Sequence, residues 1–128
     1  MQGYYYTSGV WQFEGEFYVP RGMTGVCVMQ IFGGTQRATA FMLHVYEGML
    51  KHYHQEVVAT NIYDRWIHLN VIHNADKGKV HVFIGEEEKL VIDDSGPAVH
   101  AFKFGVYTQT DSSSCMESRW RKVKVWSK

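Results

Sequence analysis

Apolar and polar residues alternate with period two along almost the whole chain, and no long stretch keeps the 3.6-residue period of a helix. In residues 9–19, Trp11, Phe13, Gly15 and Phe17 fall on one face, and Gln12, Glu14, Glu16 and Tyr18 on the other. Pro20-Arg21-Gly22 supplies a turn, because proline fixes φ and glycine accepts a positive one. Residues 24–32 read as a strand rich in β-branched and apolar side chains, stopped by Gly33-Gly34. Residues 39–46 set Phe41, Leu43 and Val45 against Met42, His44 and Tyr46, and Glu47-Gly48 turns the chain into a return strand over 49–54.

A looser stretch covers residues 55–64. Residues 66–73 alternate again, with Ile67, Leu69 and Val71 against Trp66, His68, Asn70 and Ile72. Asn74-Ala75-Asp76-Lys77-Gly78 predicts a hairpin loop with glycine at its end. Strands over 79–84 and 89–92 flank a turn, in which Glu86-Glu87-Glu88 reads as a solvated run. A strand over 100–109, a polar loop over 111–114 and a last strand over 116–126 complete the pattern. About nine strands with turn signals at short intervals predict an all-β fold of two packed antiparallel sheets, a sandwich or jelly roll. The length suits one domain over residues 1–128, with no internal repeat, low-complexity tract or linker. A chain this long buries roughly two-thirds of its unfolded surface and needs no disulfide or metal to hold a core.

Charge narrows the partners. Lys plus Arg number 13 and Asp plus Glu 13, so no global field favours nucleic acid or an anionic membrane. Seven histidines turn the net charge positive as pH falls toward about 6, which makes the surface more attractive to anions. No window approaches the length of a transmembrane helix. The N-terminus lacks a charged segment followed by an apolar one, so no signal peptide is expected. Cys27 and Cys115 allow one disulfide or two free thiols, and their separation excludes a CxxC redox or metal site. There is no Asn-x-Ser/Thr glycosylation site.

The strand over 100–109 is the richest in chemistry. Lys103, Gly105, Tyr107 and Gln109 share one face, while Phe102, Phe104, Val106 and Thr108 share the other. The apolar face belongs between the sheets; the other groups an amine, a phenol and an amide around a glycine, which often marks close approach by a ligand. An ordinary solvated face with one aromatic is the competing reading. By the same alternation Val28, Gln30 and Phe32 oppose Cys27, Met29 and Ile31, and Gln30 is either a ligand contact or an amide satisfying nearby backbone. His52 and His54 face the same way, but no His, Cys and carboxylate set shows metal-ligand spacing, so no metal and no cofactor are expected. Neither a nucleophile elbow nor a phosphate loop with its lysine is present.

Six segments resemble the plant citrate-binding-protein group of the alginate lyase family 2 jelly rolls: SGVWQFEG (8–15), GVCVMQIFGG (25–34), FMLHVYEG (41–48), YDRWIHLNVIHN (63–74), FKFGVYTQ (102–109) and MESRW (116–120). The resemblance implies a jelly roll whose concave sheet forms a groove, which in the lyases holds an acidic polysaccharide. Lyase chemistry is β-elimination at a uronic acid: carboxylate neutralisation, proton abstraction at C5 and protonation of the leaving oxygen. The family's catalytic Gln corresponds to Gln30 and its Tyr to Tyr107, with Lys103 and Gln109 alongside. The family's His position is Phe32, which exchanges no proton, and Ala101 replaces the first Tyr of the last motif. The Arg-bearing strand would lie before Tyr4, where this chain begins, so the expected fold lacks its N-terminal strand. Each lost donor costs about 10²–10³-fold in rate.

The leading expectation is therefore a non-catalytic or weakly catalytic module, leaning away from an enzyme. It would bind an acidic small molecule or acidic oligosaccharide, citrate or uronate-like, through Gln30, His44, His68, Lys103, Tyr107 and Gln109, with Arg37 as a further cation. Three alternatives stand beside it. One is a polysaccharide lyase using Tyr107 as acid and base, with Gln30. Another is a trimmed family member with a new small-molecule activity. The last is a homodimer formed through sheet edges left open by the missing strand. The resemblance also implies a secreted or vacuolar protein.

Overall fold

The computed structural model describes residues 5–34, 39–53, 55–107 and 119–128, with the backbone alone over 105–107. Its strands are β1 (Tyr5–Tyr6), β2 (Val10–Tyr18), β3 (Val26–Phe32), β4 (Thr39–Tyr46), β5 (Met49–His52), β6 (Glu56–Ala59), β7 (Trp66–Asn74), β8 (Lys79–Ile84), β9 (Glu87–Asp93), β10 (His100–Tyr107) and β11 (Arg119–Ser127). They form two antiparallel sheets, a six-stranded one ordered β1-β10-β3-β4-β5-β6 and a five-stranded one ordered β11-β2-β7-β8-β9. The neighbours β10 and β3, like β2 and β7, are far apart along the chain, which is jelly-roll rather than meander wiring.

Inward positions from both sheets make one core. Phe13 and Phe17 from β2 and Leu69 and Val71 from β7 meet Met29 and Ile31 from β3, Phe41, Leu43 and Val45 from β4, and Phe102 from β10. Phe13 anchors the aromatic part, with ring centroids 5.6 Å from Phe102, 5.4 Å from Phe104 and 5.5 Å from Trp120. Gly15 leaves the room that Trp120 needs: a Cβ there would lie 3.2 Å from Trp120 Cε3 and 3.1 Å from Val123 Cγ2.

Three details depart from the sequence reading. The stretch over 55–64 contains strand β6, whose run of four residues is too short to show a period. Strand β9 begins at Glu87, so Glu87 and Glu88 belong to a ladder, and Glu88 pairs with His81 at 2.8 Å. A bulge between Cys27 and Met29 breaks the alternation in β3. Cys27 is aligned with His44 and Met29 with Leu43, which puts Cys27 on the same outward face as Gln30 rather than beside Met29 and Ile31.

Candidate functional site

Cross-strand register organises the outward face of the six-stranded sheet into three rows, because directly opposed residues point to the same side. The first row runs Tyr5–Ala101–Phe32–Thr39. Lys103–Gln30–Met42 forms the second. The third places Cys27 beside His44 and His44 beside Lys51, with the backbone of Tyr107 aligned on the far side of Cys27. No aspartate or glutamate stands on these rows. Among the described residues, these rows thus gather two ammonium groups, an imidazole and an amide and hold no carboxylate.

Gln30 is only 3% exposed, and its Oε1 has no hydrogen-bond partner among the described residues. A buried amide oxygen without a donor carries the cost of its lost hydration. Lys103, exposed at the surface, holds its Nζ 4.6 Å from the centroid of the Phe32 ring. That contact fixes the ammonium by cation–π attraction and leaves its N–H groups for an anion. His44 is buried, with the rings of Tyr46 and Tyr53 at 5.5 and 6.5 Å. Burial pushes the Cys27 thiol up to about 12, and the S–H donates to the Met29 carbonyl at 3.6 Å. Burial, with the nearby Cys27 as a smaller cause, also raises the Tyr46 phenol.

Among the residues expected from sequence, Gln30, His44 and Lys103 therefore share one face, with the backbone of Tyr107 in register beside them. His68 does not join them. It lies on β7 in the other sheet, with Nε2 2.7 Å from Glu14 Oε2 and Nδ1 3.3 Å from the Gly85 carbonyl. Its alternation was legible, but not which sheet β7 belongs to. Gln109, Arg37, His54 and Cys115 fall outside the described residues. Two residues were missed. Lys51 is aligned with His44, and Tyr5, 67% exposed, is aligned with Ala101. Only cross-strand pairing identifies them. Phe32 is 41% exposed on this face, where the resemblance places a histidine in the lyases.

Comparison with known proteins gives one consistent picture. The family model for alginate lyase, Alginate_lyase2, matches residues 1–127. A citrate-binding protein of Hevea brasiliensis is 53% identical over 127 residues, covering 98% of this chain and 53% of that protein. The chain thus spans about half the length of this curated relative. Among solved structures, an alginate lyase from Corynebacterium sp. superposes with a TM-score of 0.73 at 19% identity, over 95% of this chain and 60% of that one. A marine alginate lyase of polysaccharide lyase family 7 from Zobellia galactanivorans gives 0.66 at 16% identity, over 98% and 65%. These two likenesses bear on the fold, a jelly roll.

Proposed function

Since this chain belongs to the alginate lyase family, we propose that it binds a hydroxyl-bearing polyacid, such as citrate or a short oligouronate, on the outward face of its six-stranded sheet. The observation that carries this reading is the carboxylate-free set of rows around Gln30. Lys103 and Lys51 offer charge-assisted donors to carboxylates, and His44 adds a third donor when protonated. Oε1 of Gln30, which has no hydrogen-bond partner among the described residues, accepts from a ligand hydroxyl. Tyr107 and Gln109 complete the set on the strength of the sequence motif. The Hevea relative, described as a citrate-binding protein, supports the small-acid form of this reading.

Calorimetric titration with citrate and with oligouronates, at pH 5 and pH 7, tests it. Binding heat is expected with at least one acid at one or both of these pH values. Absence of heat with every acid at both values would sink the reading.

Elimination on uronate polymers, with Tyr107 as acid and base beside Gln30, is the second reading, and family membership favours it. Phe32 argues against efficient turnover, because a phenyl ring neither takes nor gives a proton. Incubation with alginate and glucuronan, followed by the ultraviolet absorbance of the unsaturated product, separates the readings. Activity abolished by Tyr107→Phe would replace the binding reading with the catalytic one.

A further inference from the structure

A second group of titratable side chains lies inside the sandwich, away from the outward rows. It sits where β1, β7 and β10 meet the segment that follows β9. His73 of β7 is fully buried, and its Nδ1 lies 2.8 Å from the Tyr6 hydroxyl. Its Nε2 lies 2.9 Å from Oδ2 of Asp94, whose side chain is 5% exposed. The ring of His100 stands edge-on to that of His73, with centroids 4.6 Å apart. One ligating atom from each of His73, Asp94 and His100 falls within 4.8 Å of the others.

The group is costly as it stands. His100 is 1% exposed, and its Nδ1 has no hydrogen-bond partner among the described residues. Around it the Tyr6 ring packs on Trp11 and Phe102, at 5.0 and 5.8 Å, so the surroundings are apolar. Two imidazoles and a carboxylate in such a place lose hydration that the His73–Asp94 and His73–Tyr6 hydrogen bonds only partly replace.

We propose that His73, Asp94 and His100 form a binding site for a divalent transition-metal cation of the Zn²⁺ class. Two imidazole nitrogens and one carboxylate oxygen suit Zn²⁺ and disfavour Mg²⁺ and Ca²⁺, which take oxygen ligands. Three protein ligands leave one coordination position for water or an anion. The contacts around the set orient it. Tyr6 occupies Nδ1 of His73, so the cation takes Nε2 in place of the proton shared with Oδ2 of Asp94; a phenolic hydroxyl both donates and accepts, so it serves either tautomer of the ring. The Gly96 N–H donates to Oδ1 of Asp94 at 2.9 Å, which turns Oδ2 toward His73. Asp94 also lines a cleft of about 350 Å³ with Asp76, Lys77 and Asp93.

The test uses the whole chain, stripped with a chelator and titrated with Zn²⁺, in parallel with Mg²⁺. One Zn²⁺ per chain is expected, with no competition from Mg²⁺. Asp94→Asn and His100→Gln should each weaken binding at least about tenfold. His81→Ala, which removes one member of the exposed His81–Glu88 pair, should leave it unchanged. Nuclear magnetic resonance of the wild-type imidazoles keeps the test independent of any variant's folding. Zn²⁺ should shift the His73 and His100 rings first. No Zn²⁺ uptake, uptake that survives both substitutions, or shifts confined to His52, His68 or His81 would overturn the proposal.

Discussion

The ammonium of Lys103 rests over the ring of Phe32, 4.6 Å from its centroid, and among the described residues it meets no carboxylate. The cation therefore stays available to an anion while the aromatic face holds it in place. Replacing Lys103 with alanine should weaken binding of an acidic ligand by about 10–100-fold, as expected for one charge-assisted hydrogen bond of about 1.5–3 kcal/mol. Phe32→Ala should cost much less, roughly two- to fivefold, by loosening the lysine. Calorimetry on the two variants checks the order, and equal losses would contradict this division of labour.

Phe13 should be a dominant core residue. It is fully buried and touches Phe102, Phe104 and Trp120, so it joins the two sheets. Phe13→Ala should destabilise the fold by about 3–5 kcal/mol through lost burial and the cavity left behind. Urea denaturation of both proteins measures this as a shift of the midpoint.

Gly33 meets two constraints at once. Its φ is +102°, and a Cβ there would lie 2.1 Å from the Val99 carbonyl oxygen. The obstacle is backbone, which cannot swing aside as a side chain would. Gly33→Ala should cost more than the roughly 1–3 kcal/mol of backbone strain alone. Gly22, with φ +97° and nothing near its Cβ direction, provides the comparison: Gly22→Ala should show the strain cost only.

The Cys27 thiol should be inert. With its pKa pushed up to about 12 by burial, it stays protonated through the neutral range, and the thiolate is the reactive species. Alkylation at pH 7 in native buffer should be far slower than in denaturant. Labelling at similar rates in the two would contradict the burial.

Arg121 lies 4.0 Å over the Trp66 ring and donates from Nε to Glu16 at 2.6 Å, which ties β11 to β2. The Arg121 hydrogen bond holds the Glu16 carboxyl below its ordinary value. The sign follows from that depression: the stabilisation is present above the unfolded-state value of 4.5 and is lost as pH falls through the lower folded value. The difference in urea midpoint between the protein and Glu16→Gln should therefore narrow as pH drops below about 4.5.

Alternation made most of the sandwich legible, because a half-buried strand has to alternate. Phe41, Leu43 and Val45 were read as one face and do point inward. The bulge at Val28 was not legible: one extra residue reverses the faces on either side of it, and nothing in Val-Cys-Val-Met marks it. Strand pairing was equally hidden, so Lys51 was not linked to His44 and His68 was not separated from it. His73 did leave a signal. It continues the inward series Ile67, Leu69 and Val71, where a histidine needs a partner. That partner, Asp94, comes from a loop 21 residues on, at no recognisable spacing.

The pairing of β11 with β2 has a consequence for biosynthesis. Arg121 and Glu16 stand 105 residues apart, yet they share one ladder. While β11 is still inside the ribosome, β2 is bordered only by β7, and its other edge lies open. During that interval a backbone edge lined with Phe13 and Phe17 is exposed to neighbouring nascent chains. Chaperone demand should therefore persist until Arg119–Ser127 emerges and covers that edge.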